Sequence, residues 1–331
     1  MMSQHTQQSP VAKENPYQLR HEEIIMNDTG NFSSIKGILF IILKLLVLIL
    51  KVLYYICEGT YRLFVPRQKK DVSGEVVLIT GAGDGIGKEL AIGYASLGAT
   101  VICWDINKES NEQTMNEIKA MGKSSVYAYQ CDVSNKNEVF KMAEKIKMEV
   151  GDVTILINNA GIAPVKTLQN YNIDEISRVI NVNLMAHYWT MKAFLPSMIE
   201  KNHGHIVAVS SLAALFGKKY GTLYCATKAA VRLLMESIAD ELHKGKSCVK
   251  TTTIFPCFVT TNLIKNLRIR YGLTYYSPQQ AASLIIDAQR QDYKEKYFPT
   301  ISSLLIFARI LPNKALKCLI DLLEIDADED D

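Results

Sequence analysis

The chain has 331 residues, enough for one large α/β domain with appendages. Apolar residues make up 48% and charged residues 21%, a globular balance that excludes wholesale disorder. A net charge of +3 gives no case for nucleic-acid binding, and seven cysteines without a C-x-x-C pair point to reduced thiols facing the cytosol.

Residues 1–34 form a polar arm. It carries two glycosylation sequons, Asn27-Asp28-Thr29 and Asn31-Phe32-Ser33, which serve as topology reporters. A hydrophobic anchor helix is expected over 35–65. Its apolar part, Ile35 to Ile56, would measure about 33 Å as a helix, close to the hydrocarbon thickness of a bilayer. Lys36, Lys44, Lys51, Glu58 and Arg62 are spaced 8, 7, 7 and 4 apart. That spacing places them in one stripe about 80° wide. One polar seam on an apolar helix suits a monotopic anchor with its lysines snorkelling outward. A true span, in which two lysines are costly, is the alternative, and a buried soluble helix is a third. For a span, Arg67, Lys69 and Lys70 would place the following domain in the cytoplasm.

Pro66 to Gly74 reads as a boundary, and the main domain as 71–300. Strands are expected at Val76–Thr80, Thr100–Asp105, Val126–Gln130, Ile155–Asn158, His205–Ser210 and Val249–Phe255. Between them fall helices at Ile86–Leu97, Asn107–Met121, Glu138–Val150, one long region Ile173–Glu200, and Leu223–His243. This alternation predicts a doubly wound parallel sheet with ligands at the carboxyl ends of its strands. Apolar helices are expected over 301–323 and a frayed acidic tail over 324–331.

Three motifs carry chemistry. Thr80-Gly81-Ala82-Gly83-Asp84-Gly85-Ile86-Gly87 lies between a strand and a helix, where glycines admit a pyrophosphate and the helix amino terminus offers free N–H groups. Asp105 ends the second strand, 18 residues after Gly87. A carboxylate there accepts both ribose hydroxyls of NAD and repels the 2′-phosphate of NADP. Asp84 adds negative charge, and Lys108 is the one basic residue placed to favour NADP. Tyr224 and Lys228 share a helix face at i, i+4, where an ammonium would lower the phenol pKa and make it a usable base. Tyr188 and Lys192 have the same spacing. Only Tyr224 has a serine, Ser211, 13 residues before it at the end of a strand. His203 and His205 flank a glycine before a strand and read as a turn; no metal site is expected.

These motifs, with Asp132-Val133, Asn158-Asn159-Ala160-Gly161 and Asn183 between them, resemble the short-chain dehydrogenase/reductase family over about residues 71–300. The resemblance implies a Rossmann-type sheet of about seven strands and reversible transfer between an alcohol and a nicotinamide. It implies that Tyr224 is the general acid/base and that Ser211 binds the substrate oxygen. Lys228 would bind the nicotinamide ribose and tune Tyr224, and Asn183 would hold a relay water. Asp132 and Val133 would contact adenine. Asn159, Ala160 and Gly161 would support the cofactor, and Thr261 would sit near the carboxamide. One departure is Pro256-Cys257, where the family has Pro-Gly.

The anchor and the phrases Trp104-Asp105-Ile106-Asn107-Lys108, Lys192-Ala193-Phe194-Leu195-Pro196 and His203-Gly204-His205 resemble the membrane-anchored retinol and 17-beta-hydroxysteroid dehydrogenase branch. That branch implies a lipophilic alcohol substrate; Asp105 favours NAD, and the anchor is compatible with an endoplasmic reticulum or lipid-droplet surface. The basic cluster and the reduced thiols favour a catalytic domain facing the cytosol, and a homodimer is common in the family. The segment Phe258 to Ser277, rich in apolar and aromatic residues, is placed to cover such a substrate. Alternatives are an NADPH-dependent ketone reductase of lipid metabolism and a non-catalytic lipid-droplet scaffold.

Overall fold

Short runs of β-branched residues, buried on both faces, build the centre of this protein. The computed structural model describes residues 35–65, 67–264, 267–269, 275–308, 310–322 and 325–327. The polar arm with its sequons, much of the acidic tail and part of the expected substrate cover therefore lie outside the described residues. The chain divides into two units between Arg67 and Gln68.

In the first unit, α1 (Ile35–Phe64) is one continuous helix. Gly37–Arg62 has a mean hydropathy of 2.6, and none of its most apolar stretch is buried. Glu58 and Arg62 pair at 3.9 Å, and the Lys44 ammonium lies 4.3 Å from the Phe40 ring centre.

The second unit alternates β1 (Val76–Thr80), α2 (Gly85–Ser96), β2 (Thr100–Asp105), α3 (Lys108–Ala120), β3 (Val126–Gln130), α4 (Lys136–Glu149) and β4 (Ile155–Asn158). After these come α5 (Ile173–Ile180), α6 (Ala186–Glu200), β5 (His205–Val209), α7 (Thr222–Lys244) and β6 (Lys250–Pro256). The remainder comprises β7 (Leu267–Ile269), α8 (Pro278–Arg290), β8 (Glu295–Phe298), α9 (Leu305–Ala308), α10 (Asn313–Leu322) and β9 (Ile325–Ala327). Seven strands form one parallel sheet in the order β3-β2-β1-β4-β5-β6-β8, and β7 pairs with β9 separately. Strand alternation sorts the core into two layers. Val77 and Ile79 pack with Leu90, Tyr94 and Ile285 on one face, and Leu78 and Leu156 pack with Ile146, Phe194 and Val231 on the other. The winding reverses between β1 and β4, which opens a crevice at their carboxyl ends.

The expected elements stand, with three corrections. The region Ile173–Glu200 is not one helix: α5 and α6 are joined by a π-helical turn, Asn181–Met185. Helix α4 starts at Lys136, two residues before the expected Glu138, because the Asn135 side chain accepts from the Asn137 and Glu138 amides. The tail expected to fray over 324–331 holds β9, which pairs with β7 because extended backbone on both segments exchanges hydrogen bonds. Lys69 and Lys70 form ion pairs with Asp287 at 2.7 Å and Asp292 at 2.6 Å. Lys70 also donates its amide to the Arg290 carbonyl at 2.8 Å and accepts from Arg290 Nε at 2.7 Å.

A buried polar chain ties α2, α8, β5 and β6 below the sheet. Tyr94 donates to Gln289 at 3.1 Å, Gln289 faces His205 Nδ1 at 3.3 Å, and His205 Nε2 faces Thr252 Oγ1 at 2.8 Å. Thr252 passes its own hydrogen to the Tyr293 carbonyl at 2.6 Å, so His205 donates from Nε2 and accepts at Nδ1. Burial pushes this imidazole from its ordinary 6.5 down to about 3. The unfolded chain takes up the proton first, so this contribution to stability is complete above pH 6.5 and is lost as pH falls towards 3. Thermal melts are expected to decline below pH 6.5, less steeply in His205→Phe. Thr252→Val, which removes the acceptor, is expected to cost about 1–3 kcal/mol in urea unfolding.

Candidate functional site

The crevice is closed at its base by Thr80 and Asn159. The Thr80 hydroxyl accepts from the Asn159 amide at 3.0 Å and the Ala160 amide at 3.1 Å. Asn159 Nδ2 returns to the Thr80 and Gly81 carbonyls at 3.0 and 3.3 Å. The glycine-rich turn then leaves β1 with Gly81 and Gly85 at φ +68° and +54°, where side chains are strained. Gly87 passes so close to this turn that a Cβ on it would lie 1.9 Å from the Gly81 carbonyl oxygen.

The turn is also tied sideways to β2. The Gly83 amide donates to Asp105 Oδ2 at 2.9 Å, and the Asn107 amide to Oδ1 at 2.8 Å. The carboxylate is held by backbone and keeps lone pairs for ribose hydroxyls. Lys108 is exposed and lies 3.8 Å from Glu112. Next along the sheet edge, Asp132 Oδ1 accepts from the Ser134 amide and hydroxyl at 2.9 and 2.7 Å, and Val133 is buried. Asp84 is exposed at the start of α2 and accepts from Asn262 Nδ2 at 2.6 Å. This link to the segment after β6 was not expected from sequence. Thr261 belongs to the same segment, and its methyl would lie 3.1 Å from a Cβ on Gly85.

Across the crevice, Ser211, Tyr224 and Lys228 line one cavity of about 80 Å³ with Ile86, Cys257 and Leu263. Ser211 follows β5 in extended backbone and accepts from the Ala213 amide at 3.1 Å. Lys228 is buried, donates to the Val209 carbonyl at 2.8 Å, and lies 5.6 Å from the Tyr224 ring centre. Tyr188 is exposed on α6, away from this cavity. His203 faces Glu75 at 3.1 Å while His205 points into the buried chain, so the two share no centre.

Electrostatics here depart from the sequence expectation. The Tyr224 phenol is not lowered by Lys228: burial pushes it up to about 12, with a hydrogen bond to Ser211 opposing. Burial also pushes Lys228 down, to about 8, leaving most of it charged at neutral pH. Asn183 is hydrogen-bonded through both ends of its side-chain amide. It sits in the π turn and clamps the chain after β4, its Oδ1 accepting from the Ile162 amide and its Nδ2 donating to the Ile162 carbonyl, both at 2.8 Å. Its other amide hydrogen goes to Thr227 Oγ1 at 3.3 Å. Both hydrogens are therefore committed, and only the second Oδ1 lone pair is left for a water. That oxygen and Lys228 Nζ would lie 3.4 and 3.5 Å from a Cβ on Gly161, so the glycine keeps the gap between them open.

Residues 75–272 match the model of the short chain dehydrogenase family. The chain is 40% identical over 280 residues to short-chain dehydrogenase/reductase family 16C member 6 of Bos taurus, covering 83% of this chain and 89% of that protein. It is 38% identical to epidermal retinol dehydrogenase 2 of Mus musculus over 89% of this chain and 94% of that protein. Identity to estradiol 17-beta-dehydrogenase 11 of Macaca fascicularis is 37%, over 84% of this chain and 93% of that one. Among solved structures, a short chain dehydrogenase/reductase from Burkholderia phymatum in complex with NAD matches at TM-score 0.66 and 26% identity, over 75% of this chain and 96% of that one. A metagenomic short-chain oxidoreductase in complex with NADP matches at TM-score 0.60 and 29% identity, over 69% and 97%.

Gly87→Ala is expected to displace the turn and weaken dinucleotide binding more than about tenfold, a loss of about 1.4 kcal/mol, in titration calorimetry. Circular dichroism is expected to show the remaining fold intact.

Proposed function

We propose, for a chain that belongs to the short chain dehydrogenase family, a membrane-associated, NAD-dependent interconversion of a lipophilic alcohol and its aldehyde or ketone. Family and relatives make it a nicotinamide-dependent oxidoreductase of CH–OH groups. The observation that carries the finer reading is the convergence of Ser211, Tyr224 and Lys228 on one cavity beside the glycine-rich turn.

The residues present fit a dinucleotide. Gly81 approaches Ala160 so closely that a Cβ would lie 3.0 Å from its Cα, and a Cβ on Gly83 would lie 2.4 Å from Ser110 Oγ. Only bare backbone suits that space, and it leaves amides facing the pyrophosphate position at the start of α2. Asp105 would hold the adenosine ribose, with Asp132 and Val133 beside the adenine. Thr80, Gly81, Gly85, Ile86, Gly87, Asn159, Ala160, Gly161 and Thr261 would line the rest, and Asp84 would bound the turn through Asn262. When bound, the nicotinamide supplies the two-electron acceptor for the carbinol carbon.

The chain's own residues handle the proton. Tyr224 Oη, as phenolate, takes the carbinol hydroxyl proton while Ser211 Oγ hydrogen-bonds the same oxygen. Lys228 provides the cation beside the phenolate and would hold the nicotinamide ribose. Asn183 acts as a clamp that fixes the π turn and the chain after β4. NAD is favoured by the two amides that orient the Asp105 carboxylate.

The substrate class follows the relatives named for retinol and estradiol, and the apolar Leu263 and Val259 in the cavity support it. The exposed apolar helix α1, with Lys44, Lys51, Glu58 and Arg62 on one stripe, supports a monotopic anchor at the endoplasmic reticulum or a lipid droplet. The catalytic unit would face the cytosol.

The test is NADH formation by the full chain in membranes with all-trans-retinol, estradiol and a long-chain alcohol, each with NAD and NADP. Tyr224→Phe is expected to lower kcat by about 10²–10⁴-fold with cofactor binding retained. Asp105→Ala is expected to narrow the preference for NAD. A wild-type preference for NADP would favour the reductase reading, and cofactor binding without turnover the scaffold reading.

A further inference from the structure

The carboxyl end of the chain returns to the segment that follows β6. That segment leaves and re-enters the domain at one neck. The Thr260 amide donates to the Tyr276 carbonyl at 3.0 Å, and the Tyr276 amide to the Phe258 carbonyl at 2.9 Å. The Phe258 and Tyr275 rings meet beside it, 6.2 Å between centres. Past the neck, Asn262 is held by Asp84 at 2.6 Å, and Leu263 lines the cavity of Ser211 and Tyr224 while staying exposed. Further along comes β7, and among the described residues its strand partner is β9, in a sheet of two. The register sets Leu267 against Ala327, Arg268 against Asp326 and Ile269 against Ile325.

Cavity size gives this pairing its importance. The cavity's volume of about 80 Å³ is well under the roughly 300–1,000 Å³ of sites that enclose a drug-sized ligand. It holds the reacting end of an alcohol. The rest of a lipophilic substrate then runs out past Leu263, along the segment to which β7 belongs. A two-stranded ribbon is marginal in water by itself. Its loss here removes the tie that lies beyond Asn262 and leaves the neck in place.

We propose that β9 is a substrate-positioning strand: by pairing with β7 it braces the segment after β6 along the part of a lipophilic alcohol that the cavity does not hold. The positioning role rests on the function proposed above; the brace itself does not. Backbone makes the pairing, and successive residues of a strand direct their backbone groups to opposite sides. Of Ile325 and Asp326, one therefore faces β7 and the other faces away. Replacing both by proline removes the donor towards β7, whichever residue supplies it.

Two measurements on the protein in membranes test this. The first is amide hydrogen exchange over Leu267–Ile269 in four chains. These are the full-length wild type, full-length Ile325→Pro with Asp326→Pro, a chain ending at Glu324 and a chain ending at Ala327. The second and third lack a paired β9; the last keeps the strand and loses only the acidic residues 328–331. Exchange is expected to quicken at least about tenfold in the two chains without the pairing, and to match wild type in the chain ending at Ala327. Equal exchange in all four chains, or equal quickening in all three variants, overturns the brace. The second measurement is steady-state kinetics with all-trans-retinol or estradiol, whichever turns over. Loss of the pairing is expected to raise KM about threefold or more, with kcat and NAD binding within about twofold of wild type. An unmoved KM, or one raised equally in the chain ending at Ala327, overturns the positioning role. Absence of turnover by the wild type overturns the function proposed above and the positioning role with it, while exchange still decides the brace.

Discussion

The junction between β1 and β4 is the constraint on which the rest of the site depends. One hydroxyl, on Thr80, receives the amides of Asn159 and Ala160, and the Asn159 amide returns to the carbonyls of Thr80 and Gly81. This closes the gap where the winding of the sheet reverses. The height of the glycine-rich turn follows from it, and so does the position of Gly83 against Asp105. On the other side it sets Gly161 beside Asn183 and Lys228. The glycine-rich turn and the groups proposed to handle the proton thus share one hinge of four hydrogen bonds.

Burial then sets the electrostatics. It moves Tyr224 up, and Lys228 and His187 down, because each ionised form is the one that water would have favoured. At about 12 the phenol is protonated at neutral pH, so the base role proposed for Tyr224 calls for the Lys228 charge in the same dry interior. Lys228 is held there by the Val209 carbonyl.

Much of this was legible in the chain. Strands β1 to β6 announced themselves through apolar runs, and the glycine spacing located the turn before any fold was known. Ser211 separated Tyr224 from Tyr188, since both have a lysine four residues on. Edge strand β8 was not placed from its residues, because only Tyr297 and Phe298 of its four are buried and no alternation marks it. The π turn was hidden because helical residues continue through it, and winding leaves no mark on composition. The Asp84–Asn262 link joins residues 178 apart, and the His205 chain joins four elements; neither leaves a local pattern. The sign of the Tyr224 shift needed the depth of burial, which a spacing of four does not contain.

The stitching of Lys70 to α8 has a mechanical meaning. Its two backbone links to Arg290 and its ion pair with Asp292 clamp the chain just before β1. A pull arriving from residues ahead of Gln68 is taken up at the carboxyl end of α8. The clamp therefore stands between the chain ahead of it and the strand that leads into the crevice.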